Sequence, residues 1–466
     1  MITLPLTHHL HILQLEGYSP PRFLRWWLTH PLDFQTPIKT TLKYTPKAKR
    51  LLVLSIFSAS LLITLSYIYL SLPTTLLISL LLFFFPYPLL FFALLLIKPY
   101  EIINLHRTIA NTSQTIASYP NLIVIGITGS YGKTSTKDFL YHLLDHHHYS
   151  LKTPASYNTI FGIAKAISLE LTSKVDSFIC EYGAYVRGEI KQLTRMVPPD
   201  YAILTAIGPQ HLERFKTLHN TTLAKFELID AVIPQNALVN LDNYHIRHHL
   251  EKHSSYQDIN TYSFKYKKAT FYVSQYQLTS TGSSFTIKYK GESYPYSTHL
   301  FGTSNLENLV AAISMCLLLK VPRATITKAL TTLKPAPNRL EIKTINQATV
   351  IDNTYSSNVE GFTSIINDLK PLKGKKALIT PGIVELGQQT TPIHHQIGKQ
   401  AATVFDTIIL VGQSPRTLAL EKAIRSTHPS TTITYLTSPS DYWPTVRTLS
   451  QTHSWILLEN DLPDNY

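Results

Sequence analysis

The residues best suited to chemistry form a glycine-rich segment, Gly126–Thr134, which reads Gly-Ile-Thr-Gly-Ser-Tyr-Gly-Lys-Thr. It follows an apolar run and precedes a helical stretch at Lys137–Leu144. A glycine-rich turn before a helix directs backbone N–H groups at phosphate, Lys133 can meet the β and γ phosphate oxygens, and Thr134 can hold magnesium. The segment departs from the strict Walker pattern in the position of its first loop glycine, Gly129. It therefore predicts a nucleotide site of a variant type.

Three polar side chains follow this loop along the chain. Glu181 comes at the end of an apolar strand, where magnesium would need a carboxylate, and His211 and Lys225 come after the next apolar run. Taken singly, each is more typical of a solvated carboxylate, a loop histidine and a surface lysine. Their order and spacing after a nucleotide loop favour a shared site for nucleotide and metal.

Secondary-structure elements must position these residues. Beyond Tyr100 the sequence has apolar runs separated by helical stretches, a pattern typical of a parallel α/β fold. One series of strands is predicted at Leu122–Thr128, Ser177–Cys180, Ala202–Ala206 and Ala237–Asn240, and a second at Thr349–Asp352, Lys376–Thr380, Thr407–Val411, Thr432–Leu436 and Ser454–Leu458. A β-hairpin is predicted within Thr270–Tyr296, and Lys334–Asn338 is predicted as a linker. We expect a P-loop-type central domain at 111–336 and a Rossmann-like C-terminal domain at 337–466.

The stretch from Leu51 to Ile97 contains no Asp, Glu, Lys or Arg. As one helix it would be more than twice as long as a bilayer core is thick, so we expect two transmembrane helices, at about 51–71 and 75–97, with Pro73 at the turn. A buried helical hairpin of a soluble domain is the less favoured alternative. Basic residues on both flanks predict that both termini lie in the cytoplasm, so region 1–110 is expected to anchor a multi-pass protein in the membrane that bounds the cytoplasm.

Amino-acid composition further limits the classes of protein to which this sequence can belong. The 466 residues suffice for about three domains and exclude a single small module. A formal net charge of +13 favours anionic partners, and two cysteines exclude a disulfide framework and a zinc ribbon. Lysines and aromatic residues between Phe264 and Tyr272 favour a solvated strand pair over a nucleic-acid surface, so no nucleic-acid partner is expected.

Beyond these residues, the sequence from about Asn121 onward resembles the Mur ligase family, in its D-alanyl-D-alanine-adding branch. The motifs that carry the resemblance are the Thr-Gly-Ser-Tyr-Gly-Lys-Thr loop, Thr153 through Asn158 to Gly162, Glu181-Tyr-Gly-Ala with Gly188-Glu-Ile, His211, Lys225-Phe-Glu, Gly302–Asn308, Asn338-Arg339, Asp352–Asn358, and Glu385-Leu-Gly387 with His394 and Gly398.

The resemblance implies site roles. Lys133, Lys225, His211 and Arg339 would be the catalytic residues. ATP would be bound by Thr128, Gly129, Ser130, Gly132, Lys133, Thr134, Ser135, Asn305, Arg339 and Asp352. Magnesium would be held by Thr134, Glu181, His211 and Lys225 as its carbamate. The other substrates would meet Asn158, Tyr355, Asn358 and Glu385.

The resemblance also implies an ATP-dependent ligase that activates a peptide carboxylate of a cell-wall precursor as an acyl phosphate and joins it to D-alanyl-D-alanine. We expect ATP and Mg²⁺ as cofactors, a muropeptide as the second substrate, and a monomer. A membrane hairpin stands where the branch normally has a domain for the UDP end of its substrate. Three alternatives therefore stay open: a ligase of a lipid-linked muropeptide, a ligase of a polyglutamate chain, and a non-catalytic ATP-binding membrane scaffold.

Overall fold

The computed structural model describes residues 5–30, 42–155, 157–210, 212–279, 282–355, 357–384, 386–437 and 441–460. These residues form two compact units, one up to Arg107 and one from Thr108 onward.

The first unit is helical throughout its regular structure. Its helices are α1 (Pro5–Leu15), α2 (Pro20–Thr29), α3 (Pro46–Tyr69), α4 (Leu72–Phe84) and α5 (Tyr87–Ala117). A small core joins α1 and α2 to α3 and α5 through Leu13, Phe23, Leu51 and Leu94. By length and composition, α3 and α5 could each cross a membrane.

The apolar stretch is divided differently from the predicted pair of helices. The first break falls at Leu70–Ser71, just before Pro73, near the predicted turn. The second predicted segment, 75–97, is interrupted at Phe85 and Pro86, because α4 ends at Phe84 and α5 begins at Tyr87. Pro86 explains the interruption, because proline has no backbone N–H to donate and disfavours the helical conformation of the residue before it.

The second unit begins with a nine-stranded sheet. Its strands are β1 (Ile123–Thr128), β2 (Ser150–Lys152), β3 (Ser177–Glu181), β4 (Tyr201–Leu204), β5 (Ala237–Asn240), β6 (Asn260–Ser263), β7 (Phe271–Thr279), β8 (Gly282–Tyr289) and β9 (Glu292–Thr298). The strand order is β2-β3-β1-β4-β5-β6-β7-β8-β9. All neighbours up to β7 are parallel, and β7, β8 and β9 form an antiparallel meander.

Helices cover both faces of this sheet. They are α6 (Lys133–Leu144), α7 (Ile160–Glu170), α8 (Glu189–Met196), α9 (Leu212–Phe215), α10 (Leu218–Ile229), α11 (Tyr244–Lys252), α12 (Thr303–Leu318) and α13 (Arg323–Leu330). Two apolar cores result. One holds α6 and α12 against the sheet, with Phe139 and Leu309 fully buried, and the other holds α8 and α10, with Leu193 and Phe226 buried.

A second sheet follows after residues 331–340. Its strands are β10 (Glu341–Ile345), β11 (Ala348–Asn353), β12 (Lys376–Thr380), β13 (Thr407–Val411), β14 (Thr432–Leu436) and β15 (Trp455–Glu459), in the order β10-β11-β15-β12-β13-β14. Its helices are α14 (Val359–Leu369), α15 (Thr390–Ala402), α16 (Pro415–Thr427) and α17 (Tyr442–Leu449). Except for the antiparallel β10, the strands are parallel.

The predicted α/β class is confirmed, and the predicted strands of both series have counterparts within a few residues. The predicted hairpin corresponds to β7 and β8, although the turn residues Ser280 and Thr281 lie outside the described part. One prediction was wrong by a full turn: α6 begins at Lys133 and not at Lys137. Gly132 precedes it with φ +82°, so the backbone enters the helix directly after this glycine.

The topology explains why the candidate residues converge. In the first sheet β1 lies between β3 and β4, and all three strands are parallel. Their carboxyl ends therefore share one edge of the sheet, which is where parallel α/β sheets bind ligands. The glycine-rich loop, Glu181 and the segment after β4 all lie at this edge.

Candidate functional site

The loop between β1 and α6 is shaped by two glycines that leave no space for a side chain. A Cβ on Gly132 would meet the Asn308 side chain, and one on Gly129 would meet the Thr205 hydroxyl. Gly132 also has a left-handed backbone, which side-chain-bearing residues rarely adopt. The loop thus approaches its surroundings closely and presents backbone N–H groups at the start of α6.

Hydrogen bonds fix the rest of the loop. The Thr128 hydroxyl donates to the Tyr182 carbonyl at 2.8 Å. The Ser130 hydroxyl pairs with Gly208, donating to its carbonyl and accepting from its N–H. Lys133 Nζ donates to the Gly129 carbonyl at 2.8 Å and to the Ser130 carbonyl at 3.2 Å. The loop is therefore held in one conformation, and its lysine lies over it.

Glu181 ends β3 with only 1% of its surface exposed. Its carboxylate accepts hydrogen bonds from the Thr134 hydroxyl at 3.0 Å and the Asn158 amide at 3.1 Å. Burial disfavours its ionisation, but the charges of Lys133 and Lys137 outweigh that and hold the pKa of Glu181 below its usual range. The predicted partners Thr134, Glu181 and Asn158 are thus brought together around an ionised carboxylate.

Lys137 is a site residue that the sequence reasoning missed. It is fully buried, its Nζ lies 3.5 Å from the Glu181 carboxylate, and it also donates to the Ala155 carbonyl. The available signal was its spacing, because a residue four positions after Lys133 lies on the same face of α6. Lys137 neutralises part of the charge that Glu181 brings into the protein.

Lys225, in α10, is 3% exposed. Burial lowers its pKa to about 7, with repulsion from Lys133 acting in the same direction and Glu189, Glu181 and Glu227 opposing it. Lys225 is therefore not a surface lysine, because its side chain lies inside the protein. A lysine with this pKa is charged and neutral in comparable proportions at neutral pH.

A cavity of about 370 Å³ extends from the loop towards the second sheet. Its walls include Gly132, Ser135 and Asn305 from the first part of the unit and Arg339 and Asn358 from the second. The predicted nucleotide residues therefore meet from both parts of the unit.

The remaining predicted residues take different positions around this cavity. Asn305 is buried and its amide donates to the Phe301 carbonyl. Asp352 is also buried and paired, accepting from Lys343 at 2.6 Å and from the Thr354 hydroxyl at 2.7 Å. Its side chain is thus committed to structure within the second sheet.

The predicted substrate residues stand at the start of α14. Asn358 caps this helix, its side chain accepting from the Gly361 N–H at 2.9 Å. Tyr355 is 59% exposed, and the Arg339 guanidinium lies 4.8 Å from its ring centre. The predicted residues His211 and Glu385 lie outside the described residues.

Contacts between the two parts of the unit supply further residues that the sequence did not single out. Asp368 of α14 accepts from the Thr303 N–H at 2.8 Å and from its hydroxyl at 2.6 Å, at the first turn of α12. Glu307, which lines the cavity, has its pKa raised to about 7 by burial and by the nearby Asp242 carboxylate. The contact of Asp368 with Thr303 depends on how the two sheets meet, and that of Glu307 with Asp242 joins distant segments of the first part, so local patterns could not reveal either.

Comparison with known proteins shows which proteins this chain is similar to. Residues 127–316 match the model of the Mur ligase middle domain. The UDP-N-acetylmuramoyl-tripeptide–D-alanyl-D-alanine ligase of Buchnera aphidicola is 29% identical over 293 residues, covering 62% of this chain and 64% of the relative. The ligase of the same name from Escherichia coli is 27% identical over 307 residues, covering 65% of this chain and 67% of the relative. The chain thus spans slightly less than two thirds of the Buchnera relative.

Solved structures agree with this relationship. A crystal structure of MurF from Acinetobacter baumannii superposes with a TM-score of 0.65 at 25% identity, covering 75% of each chain. The fold is also that of the MurF ligase from Thermotoga maritima in complex with ADP, with a TM-score of 0.66 at 21% identity over 76% of this chain and 80% of that one. The loop, the fold and the comparisons agree: residues 127–316 match a Mur ligase middle domain, and the chain is similar in sequence and fold to MurF ligases.

Proposed function

We propose that the protein is an ATP-dependent amide ligase of peptidoglycan precursor synthesis, joining a peptide carboxylate of a muropeptide to the amine of D-alanyl-D-alanine. The observation that carries the proposal is the grouping of Lys133, Lys137 and Lys225 around the buried Glu181 carboxylate, next to the phosphate loop. The related proteins of Buchnera and E. coli carry the name of this activity.

The residues present fit ATP. The loop offers N–H groups at a helix N-terminus, Lys133 is a cation next to it, and Arg339 lines the cavity. A carboxylate becomes a good electrophile only once phosphorylated, and its phosphorylation brings several negative charges together. Lys133 and Arg339 would offset this charge, while the fixed loop would orient the transferred phosphate.

The residues also fit magnesium. Within the described ranges, no group of three or more His, Cys, Asp or Glu side chains could hold a metal ion. Thr134 and Glu181 form a hydroxyl–carboxylate pair at 3.0 Å. Magnesium is usually bound by one or two carboxylates together with phosphate oxygens and water, so this pair suits it. The ion would supply charge neutralisation at the phosphates.

We further propose that Lys225 functions as its carbamate. Among the described residues, none accepts a hydrogen bond from its Nζ, so a buried ammonium would be poorly compensated there. Carbamate formation requires the neutral amine, which a pKa of about 7 makes available. The neutral amine would attack carbon dioxide, forming an N–C bond and releasing a proton. The resulting carbamate would offer an anionic oxygen ligand for a second magnesium, which His211 would share.

The first unit supports a membrane location. Large apolar side chains on α3 and α4 point outward, with Phe57 65% exposed and Leu72 61% exposed. Hydrocarbon would cover such surface favourably, whereas water would not. We propose that these helices anchor a monomeric enzyme whose second unit works in the bacterial cytoplasm.

The muropeptide could carry either a UDP group or a polyprenyl lipid. The apolar helices of the first unit favour the lipid-linked form as a second candidate substrate, because they would hold the enzyme at the surface where such a molecule resides.

An assay of phosphate release by the full-length protein in detergent tests the proposal. We expect release from ATP only when D-alanyl-D-alanine and a muropeptide are both present, and little with L-alanyl-L-alanine. UDP-linked and polyprenyl-linked muropeptides are supplied in separate arms. ATP binding without turnover in every arm would overturn the ligase proposal in favour of an ATP-binding scaffold. Turnover with glutamate and a polyglutamate chain would reassign the substrate.

A further inference from the structure

Arg339 is presented to the cavity by a turn of unusual backbone conformation. On its two sides, Asn338 has φ +58° and Leu340 has φ +52°. Asparagine tolerates the left-handed region, but leucine rarely adopts it, because its Cβ crowds the backbone. Leu340 is only 8% exposed and packs in the core of the second sheet. A strained turn of this kind persists only where its surroundings hold it.

The segment that follows β11 provides this support. The Leu340 N–H donates to the Asn353 side-chain carbonyl at 3.3 Å, and the Tyr355 N–H donates to the Asn338 carbonyl at 3.1 Å. The Arg339 guanidinium also lies over the Tyr355 ring. The strained turn, residues 353–355 and Ser357 are therefore linked in one group by hydrogen bonds, with Ser357 joined through Glu459.

Glu459, at the end of β15, holds that group from the other side. It is fully buried and lies opposite Asn353 in the sheet. One carboxyl oxygen accepts from the Asn353 amide at 2.8 Å, and the other accepts from the Ser357 hydroxyl at 2.6 Å. Both oxygens are thus used within the segment that supports the turn.

The orientation of the Asn353 amide links these contacts. An asparagine side chain has an oxygen that accepts and a nitrogen that donates, and a half-turn of the amide exchanges them. The Leu340 N–H needs the oxygen, so the nitrogen must face an acceptor on the opposite side. Glu459 is that acceptor, and without it the amide could turn and release the Leu340 N–H.

We propose that Glu459 is a positioning residue that, through Asn353 and Ser357, keeps the strained turn Asn338–Leu340 folded and Arg339 at the cavity. The inference rests on the proposed function only in assigning ATP to Arg339. Burying the Glu459 carboxyl group without hydrogen-bond partners would cost folding free energy, so its two hydrogen bonds are needed for a glutamate to occupy this core position.

The test compares three variants of the full-length protein in detergent. Glu459→Ala removes both acceptor oxygens. Glu459→Gln retains an oxygen that can accept from Asn353. Ile456→Ala removes a fully buried side chain from the same strand that packs in a different core from Leu340, and serves as the matched control. The measurements are the ATP dissociation constant by calorimetry and the rate of tryptic cleavage after Arg339 relative to cleavage at the exposed turn residue Lys290.

We expect Glu459→Ala to weaken ATP binding about tenfold and to accelerate the relative cleavage after Arg339 by a similar factor. Glu459→Gln should stay close to the wild type in both measurements. Ile456→Ala should lower the melting temperature and leave both measurements unchanged. If Glu459→Ala does not fold, Ser357→Ala, which removes one of the two bonds, should give a smaller shift in the same direction.

Unchanged ATP binding and unchanged relative cleavage in a folded Glu459→Ala variant would overturn the proposal. Equal losses in the Gln and Ala variants would also overturn it, because the amide argument requires rescue by Gln. The cleavage measurement needs no nucleotide. Failure of the proposed ligase function would therefore appear as absent turnover in the wild type, with the cleavage differences intact.

Discussion

In the second unit ionisable side chains lie inside the protein, whereas in the first unit large apolar side chains lie outside it. Glu181, Lys137 and Lys225 are each at most 3% exposed, and Phe57 and Leu72 are more than 60% exposed. An average soluble domain shows neither feature to this degree, because ions favour water and apolar surface avoids it. At these positions, therefore, neither unit has the distribution of charged and apolar side chains that contact with water alone would favour.

This difference in side-chain placement indicates which surroundings suit each unit. Buried charges persist when they pair with one another or with a charged ligand, and two lysine cations, Lys133 and Lys137, lie next to the single Glu181 carboxylate. That excess of positive charge suits phosphate. Outward apolar side chains persist when hydrocarbon covers them, which suits a bilayer. Predictions that replace charge in one unit and apolar surface in the other test whether this contrast is functional.

The largest effect is expected from removing the loop cation. Lys133→Ala takes away the point charge nearest the proposed β and γ phosphates, and we expect turnover to fall roughly 10²–10³-fold. The fold should be retained, because among the described residues Lys133 Nζ donates its hydrogen bonds to two carbonyls of its own loop. Phosphate release under saturating ATP measures the loss, and circular dichroism checks the fold.

Lys165→Ala provides the control, because Lys165 is an exposed lysine of α7 in the same unit. It should retain full turnover. Near-normal ligation by Lys133→Ala would mean that the cluster of buried charge is structural, and the contrast between the units would lose its functional meaning.

The sequence predicted much of this site because much of it is local. The glycine loop is one continuous segment, and Glu181 ends a strand whose apolar pattern is evident. Parallel strands then bring such positions to one edge without further information. The start of α6 was misplaced because the left-handed Gly132, and not the helix propensity that follows it, decides where the helix begins.

What could not be predicted depends on contacts between distant segments. Asp368 meets Thr303, and Glu459 meets Asn353, across sequence separations that carry no periodic signal. Burial is also invisible locally: Lys225 has the sequence context of an exposed helix lysine, yet packing encloses it. The domain boundaries and membrane topology stay predictions.

A smaller effect is expected at Lys225, where charge and not size is decisive. Its pKa of about 7 lies below the ordinary value of 10.5, so the folded protein holds the proton only below about pH 7. The neutral amine needed for the carbamate is therefore lost as the pH falls through 7, and turnover should decline there and recover towards pH 8. Lys225→Arg, a permanent cation, should lose roughly 10²-fold at every pH.

The pH dependence of stability has the same origin and a defined sign. Between pH 7 and 10.5 the unfolded chain binds a proton at Lys225 that the folded chain does not, so this residue makes stability increase with pH across that window. Lys225→Met should remove this contribution, as measured by melting temperature against pH. Normal turnover of Lys225→Arg at pH 8 would contradict the carbamate.

The smallest effect is expected on the apolar surface of the first unit. Phe57 is 65% exposed near the middle of α3, and replacing it by arginine would place a charge where we propose hydrocarbon. The cost of such a charge at a helix centre is about 2.5–3.5 kcal/mol on insertion scales. The many remaining apolar residues still favour insertion, so the membrane-bound fraction should decrease partially and not vanish. Sedimentation of membranes followed by immunoblotting measures it.

Leu169 makes this test a direct comparison of the two units. It is 70% exposed on α7 of the second unit, so by exposure alone it matches Phe57. If water surrounds α7, Leu169→Arg should change stability by less than about 0.5 kcal/mol and leave the membrane-bound fraction unaltered. Equal behaviour of the two arginine variants would mean that both leucine and phenylalanine face the same solvent, and the proposed anchor would have to be abandoned. Phe57 and Leu169 are similarly exposed. If only Phe57→Arg lowers the membrane-bound fraction, the difference must come from the surroundings of the two side chains, hydrocarbon at Phe57 and water at Leu169.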